Sequence, residues 1–79
     1  MFDLPGMDIK LKIGQRIKIL RKKIDLSQEA LALKADVDRT YVTDVENGRR
    51  NVSVELLERI ITALDVSISE FFNVKEFKK

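Results

Sequence analysis

Between Asp38 and Gly48 the chain gathers side chains built to hydrogen-bond at short range: Arg39, Thr40, Tyr41, Thr43, Asp44 and Asn47. If the stretch is helical at about 100° per residue, Val42, Val45 and Glu46 share one side, while Thr40, Thr43, Asp44 and Asn47 share the other. An outward face of short donors and acceptors suits the base edges of a major groove about 12 Å wide. Arg39 can bridge guanine O6 and N7, Thr40 or Thr43 can meet a thymine methyl, Asp44 can accept from cytosine N4, and Asn47 can pair with adenine. Tyr41 and Arg39 flank that face. A polar outer face is also what any surface helix shows, so the pattern acquires meaning only from the elements that hold it.

Those elements read as helices throughout. Ile9, Ile13, Ile17, Leu20 and Ile24 recur at spacings of four, four, three and four, the stripe of an amphipathic helix over Ile9 to Lys23. Ser27 is an N-cap for a short second helix from Gln28 to Ala35, with Leu31, Ala32 and Ala35 inward. Asp38 caps a third that ends at Asn47-Gly48, where glycine suits the left-handed C-cap conformation. Ser53 caps a fourth with Val54, Leu57, Ile60, Ile61 and Leu64 inward, and Ser67 with Glu70 reads as a capping box opening a fifth that carries Phe71-Phe72. No period-two alternation persists long enough for a strand. The expected organisation is a flexible leader over residues 1–8, a domain over 9–74 and a tail over 75–79.

Composition narrows the chemistry. The 79 residues include no histidine and no cysteine, which removes disulfides, Cys/His zinc sites and the common Ser-His and Cys-His nucleophile arrangements. No cofactor, metal site or catalytic residue is expected, and no glycine-rich phosphate loop or paired-carboxylate motif argues for an enzyme. No apolar run approaches the ~20 residues of a membrane span, and the expected location is the cytoplasm. A chain this short buries only about 60% of its unfolded surface, so it relies on well-packed helices and a partner subunit. Net charge is +2, but residues 1–40 hold nine Lys/Arg against six Asp/Glu, and residues 41–79 hold six against seven. The basic excess lies early, mostly on the first helix, where a solvated face is an equally good account.

Gln28 to Asn47 forms a 20-residue window of helix, tight turn and helix. Two helices crossing steeply need a small residue at the point of contact and branched apolar residues opposite. Ala32 at the fifth position of the window, Leu31 at the fourth, Val37 at the tenth, Val42 at the fifteenth and Val45 at the eighteenth meet those needs. The window resembles the helix-turn-helix of the phage-repressor and Cro-like (XRE) family, and the likeness extends over roughly Ile9 to Phe72. It implies an all-α, five-helix, lambda-repressor-like domain that reads double-stranded operator DNA. Asp25 and Asp36 stand where that family places glycine; aspartate tolerates positive φ better than most residues, so one or both are expected near +60°.

By the same resemblance Gln28 holds a backbone phosphate, Arg49, Arg50 and Asn51 run along the DNA backbone, and Arg21 pairs with the inward Glu46. Within the family, Asp38 to Val42, Arg50 to Ser53 and the Phe71-Phe72 ending look like the controller proteins of restriction-modification systems, which implies operator contacts from Arg39, Thr40, Tyr41, Arg50 and Thr43 and control of the chain's own promoter, with RNA polymerase a further partner. A phage-type repressor and an antitoxin share much of this pattern, and a protein-binding adaptor is the alternative of another class. One short recognition helix reads few base pairs, so a homodimer on an inverted repeat is expected. Ile68, Phe71 and Phe72 are the expected dimer patch.

Overall fold

The computed structural model describes residues 8–78. Five α-helices follow one another: α1 (Ile9–Lys23), α2 (Gln28–Ala35), α3 (Arg39–Glu46), α4 (Val54–Ala63) and α5 (Ile68–Phe72), closed by a 3-10 turn at Lys75–Phe77. No strand occurs among the described residues. Each α-helix starts where a side chain satisfies an otherwise orphaned amide. Ser27 Oγ accepts from the Ala30 amide, Asp38 Oδ2 from Thr40, Ser53 Oγ from Leu56 and Ser67 Oγ from Glu70, all at 2.9–3.1 Å. The last is half of a capping box, since the return bond from the Glu70 carboxylate to the Ser67 amide is not among the described hydrogen bonds. Asp8 accepts from the Leu11 amide at 3.1 Å and so belongs to α1 as its cap rather than to the leader. The rest of the expected leader, residues 1–7, lies outside the described residues.

The helix ends are as specific as the starts. Asp25, Asp36 and Asp65 follow α1, α2 and α4 with φ of 58°, 59° and 65°, left-handed in each case. Short polar aspartate bears this conformation at a cost below the roughly 1–2 kcal/mol of an ordinary residue. Gly48 ends α3 at φ 72°.

Ile17, Leu31, Val42, Ile60, Ile61, Leu64 and Phe71 form the centre of the core. The inward stripes hold in the middle of each helix and fail at the ends: Ile9 and Ile24 are exposed, and Val54, expected inward, is 83% exposed. Phe71 is 0% exposed within a single subunit, so it is core and is withdrawn from the expected dimer patch. Its ring meets Phe72 edge-on at 4.9 Å, and Phe77 stacks 6.2 Å away. Phe77 also meets Phe72 edge-on at 4.9 Å, so Lys75–Phe77, expected as part of a tail, folds back on the domain.

Two arginines clip helix ends through their carbonyls. Arg16 on α1 donates through Nε to the Phe71 carbonyl at 2.8 Å and through Nη2 to the Glu70 carbonyl at 3.0 Å, holding α5 against α1. Arg59 on α4 donates through Nε to the Ala35 carbonyl at 3.1 Å and through Nη2 to the Asp36 carbonyl, which fastens the end of α2 beside the turn into α3. No helix among the described residues is long and apolar enough to cross a membrane.

Candidate nucleic-acid interface

Helix α3 is set by what lies behind it. Val42 and Val45 are buried, and on the same side Glu46 meets Arg21 of α1: Nε to Oε2 at 2.6 Å and Nη2 to Oε1 at 3.0 Å. At 8% and 5% exposure these two are the buried charged residues among those described. Such a pair is tolerable only when its remaining hydrogen-bonding capacity is met. Arg21 Nη1 donates to the Leu26 carbonyl at 2.9 Å, and Glu46 Oε1 also accepts from Gln28 Nε2 at 3.0 Å. Every buried side-chain nitrogen and oxygen among the described residues has a partner.

At Gly14, α1 packs directly against the backbone of α3. A Cβ there would lie 2.4 Å from the Val45 carbonyl oxygen and 2.6 Å from that of Glu46. Sequence reasoning passed over this glycine, although a glycine inside an apolar-periodic helix, where it costs roughly 1 kcal/mol against alanine, is a signal of close approach.

On the outward side, Arg39, Thr40 and Asn47 are exposed, and Tyr41, Thr43 and Asp44 are half-buried. The quartet Thr40, Thr43, Asp44 and Asn47 therefore shares the face opposite Val42 and Val45. Its members differ in freedom. Thr43 Oγ1 donates to Gln28 Oε1 at 2.9 Å, with the Arg39 carbonyl a second acceptor at 3.2 Å, and Asn47 Nδ2 donates to the Thr43 carbonyl at 3.0 Å. Asp44 is drawn to the following loop, 3.4 Å from Arg50 and 3.9 Å from Arg49, while the Arg50 guanidinium lies over the Tyr41 ring, 4.8 Å from its centroid. Arg49, Arg50 and Asn51 are exposed beside the face.

The geometry revises two expectations. Gln28, expected to hold a phosphate through its side chain, instead spans α2 and α3 with both ends of its amide engaged inside the subunit. Asp44, expected to accept from a base, is occupied by loop arginines; exposed pairs of this kind are worth only about 0–1 kcal/mol, so the arginines can leave it for a stronger anion. The expected dimer patch is reduced to Ile68 and Phe72, which with Val54, Leu57, Ile61, Glu55 and Glu58 line a largely apolar groove between α4 and α5.

Comparison with known proteins agrees with this arrangement. The helix-turn-helix family model matches residues 17–71. Control protein C.MunI of Mycoplasma sp is 51% identical over 67 residues, spanning 84% of this chain and 90% of that protein. The crystal structure of the restriction-modification controller protein C.AhdI from Aeromonas hydrophila has a TM-score of 0.77 at 46% identity, covering 80% of this chain and 96% of that one. C.Esp1396I, solved as a tetramer in complex with its natural 35 base-pair operator, has a TM-score of 0.82 at 38% identity, covering 89% and 95%. The likeness takes in the two helices of the motif and those packed behind them, and the chain belongs to the helix-turn-helix family and, within it, with the restriction-modification controller proteins.

Proposed function

We propose that this chain is a transcription regulator of a restriction-modification system, acting in the cytoplasm as a homodimer that reads an inverted-repeat operator through α3. The observation that carries the reading is the exposed polar face of α3, anchored from behind by the Arg21–Glu46 pair and bordered by the Arg49–Asn51 loop. In this reading Arg39 and Thr40 meet base edges, Thr43 and Asn47 follow deeper along the helix, and Tyr41 holds Arg50 ready for the DNA backbone. On meeting a phosphate, Arg49 and Arg50 exchange the Asp44 carboxylate for the nucleic acid. RNA polymerase is the further partner when the bound dimer activates its own promoter.

Selection from a random duplex pool, followed by a salt titration, tests the function. A sequence-specific regulator enriches two inverted half-sites about 10–10.5 base pairs apart, centre to centre, or at a multiple of that. Affinity then falls steeply with salt as phosphates release counterions. Enrichment of no sequence, with binding insensitive to salt, refutes it.

The second subunit docks on the groove between α4 and α5. Val54 at 83% and Ile68 at 51% exposure are large apolar side chains next to one another in a small domain, the kind of patch that marks an interface. Replacing Ile68 by glutamate places two buried like charges across a two-fold axis. The expected result is a monomer by sedimentation at micromolar concentration, still helical by circular dichroism, with operator affinity lowered at least ten-fold. A variant that sediments like the parent protein counts against this interface.

A further inference from the structure

The hydrogen bonds behind α3 run in one direction. Arg21 is a donor only, and Glu46 as a carboxylate is an acceptor only. Glu46 Oε1 takes a hydrogen bond from Gln28 Nε2, so the Gln28 amide is fixed with its nitrogen towards α1 and its oxygen towards Thr43. Thr43 Oγ1 lies 2.9 Å from that oxygen and 3.2 Å from the Arg39 carbonyl. Both neighbours accept, so whichever of them Thr43 serves, its proton points into the protein. The hydroxyl then shows the groove only lone pairs and the adjacent methyl group.

We propose that Thr43 is a specificity-determining residue that reads DNA solely as a hydrogen-bond acceptor and a methyl contact, its hydroxyl proton held inward by the Gln28 amide oxygen and the Arg39 carbonyl. The inference rests on the DNA-reading function proposed above. A base edge meeting Thr43 must offer an exocyclic amine, as adenine N6 or cytosine N4 does, or a thymine methyl. Guanine, whose O6 and N7 both accept, is disfavoured there because two acceptors would face each other. Gln28 and the Arg39 carbonyl together position the hydroxyl proton, the Gln28 amide oxygen being the nearer of the two acceptors.

The test compares duplex selections for the wild-type chain and three variants, Thr43→Val, Thr43→Ser and Gln28→Ala, each checked for an unchanged dimer and a cooperative thermal transition. Thr43→Val keeps the shape and removes the hydroxyl. At one base pair per half-site, the preference for an amine-bearing base over thymine is expected to fall by about five- to ten-fold, the worth of one hydrogen bond. Thr43→Ser keeps the amine preference and loses the thymine contact. Gln28→Ala leaves the Arg39 carbonyl as the inward acceptor, so guanine stays disfavoured at that same base pair. A wild-type preference for guanine that Thr43→Val abolishes overturns the proposal, as does a Thr43→Val selection identical to wild type at every position; in both cases DNA reading itself survives. Failure of the wild-type chain to enrich any sequence overturns the function together with the inference.

Discussion

Replacing Gly14 by alanine is expected to lower the thermal unfolding midpoint by about 8–16 °C, the equivalent of about 2 kcal/mol in a domain of this size. The methyl group would arrive 2.4–2.8 Å from the carbonyl groups of Val45 and Glu46, which are backbone atoms and cannot turn aside as a side chain would. Alanine returns roughly 1 kcal/mol of helix propensity, but overpacking against backbone costs about 3 kcal/mol, the top of the usual range, and relief demands that α3 move bodily away from α1. Such a shift carries the whole outward face with it. Operator affinity should therefore drop more than the loss of stability accounts for, even at temperatures where the variant is fully folded. Gln15→Ala, a change at the exposed neighbour of Gly14, is the control and should leave both properties nearly unaltered. An unfolding midpoint for Gly14→Ala equal to that of the parent, measured at the same protein concentration, would show that the two helices are not in backbone contact.

Glu46→Ala is expected to cost about 3–5 kcal/mol in urea unfolding, because it leaves the Arg21 guanidinium buried with only the Leu26 carbonyl for company. A 79-residue domain has a total stability of about 4–12 kcal/mol, so this single change takes a large part of it. Removing both charges tells whether the cost is the orphaned cation or the lost pair. Arg21→Met combined with Glu46→Leu should recover most of the deficit, since apolar replacements of similar volume often match a buried ion pair. Recovered stability is not recovered recognition, however: Gln28 would lose the carboxylate that orients it. A loss below about 1 kcal/mol for Glu46→Ala would mean that the pair is solvent-screened and does not secure α3.

Helix positions were readable in the sequence because their starts are written in single residues. Ser27, Asp38, Ser53 and Ser67 each place one oxygen within reach of an amide two or three residues on, a requirement local enough to see without a fold. Glu46 was also legible, since its angular position among Val42 and Val45 turns a carboxylate inward. Asp25 and Asp36 adopt the positive φ expected where the family has glycine, whereas Asp65 was not anticipated because nothing in the local pattern distinguishes it from a surface aspartate. What stayed hidden depends on residues far apart in the chain. Arg16 and Arg59 read as surface charges until the carbonyls 55 and 24 residues away come into view. Gln28 sits at a helix start where an anion is welcome, and only the packing of α2 on α3 shows its amide already occupied. Phe71 and Phe72 are adjacent in sequence and similar in kind, so their division between core and surface is decided by which face of a five-residue helix meets α1.

The unequal freedom of the groove-facing side chains bears on redesign. The side chains of Arg39 and Thr40 stand clear of the subunit's internal hydrogen bonds, so under the proposed reading new residues at those two sites retarget the protein to a different operator with little penalty in folding. Thr43 is tied to Gln28 behind it and Asp44 loosely to the loop arginines, so a change at either one disturbs a neighbour along with the proposed reading. An engineer seeking altered specificity has two independent letters near the start of α3 and a coupled set behind them.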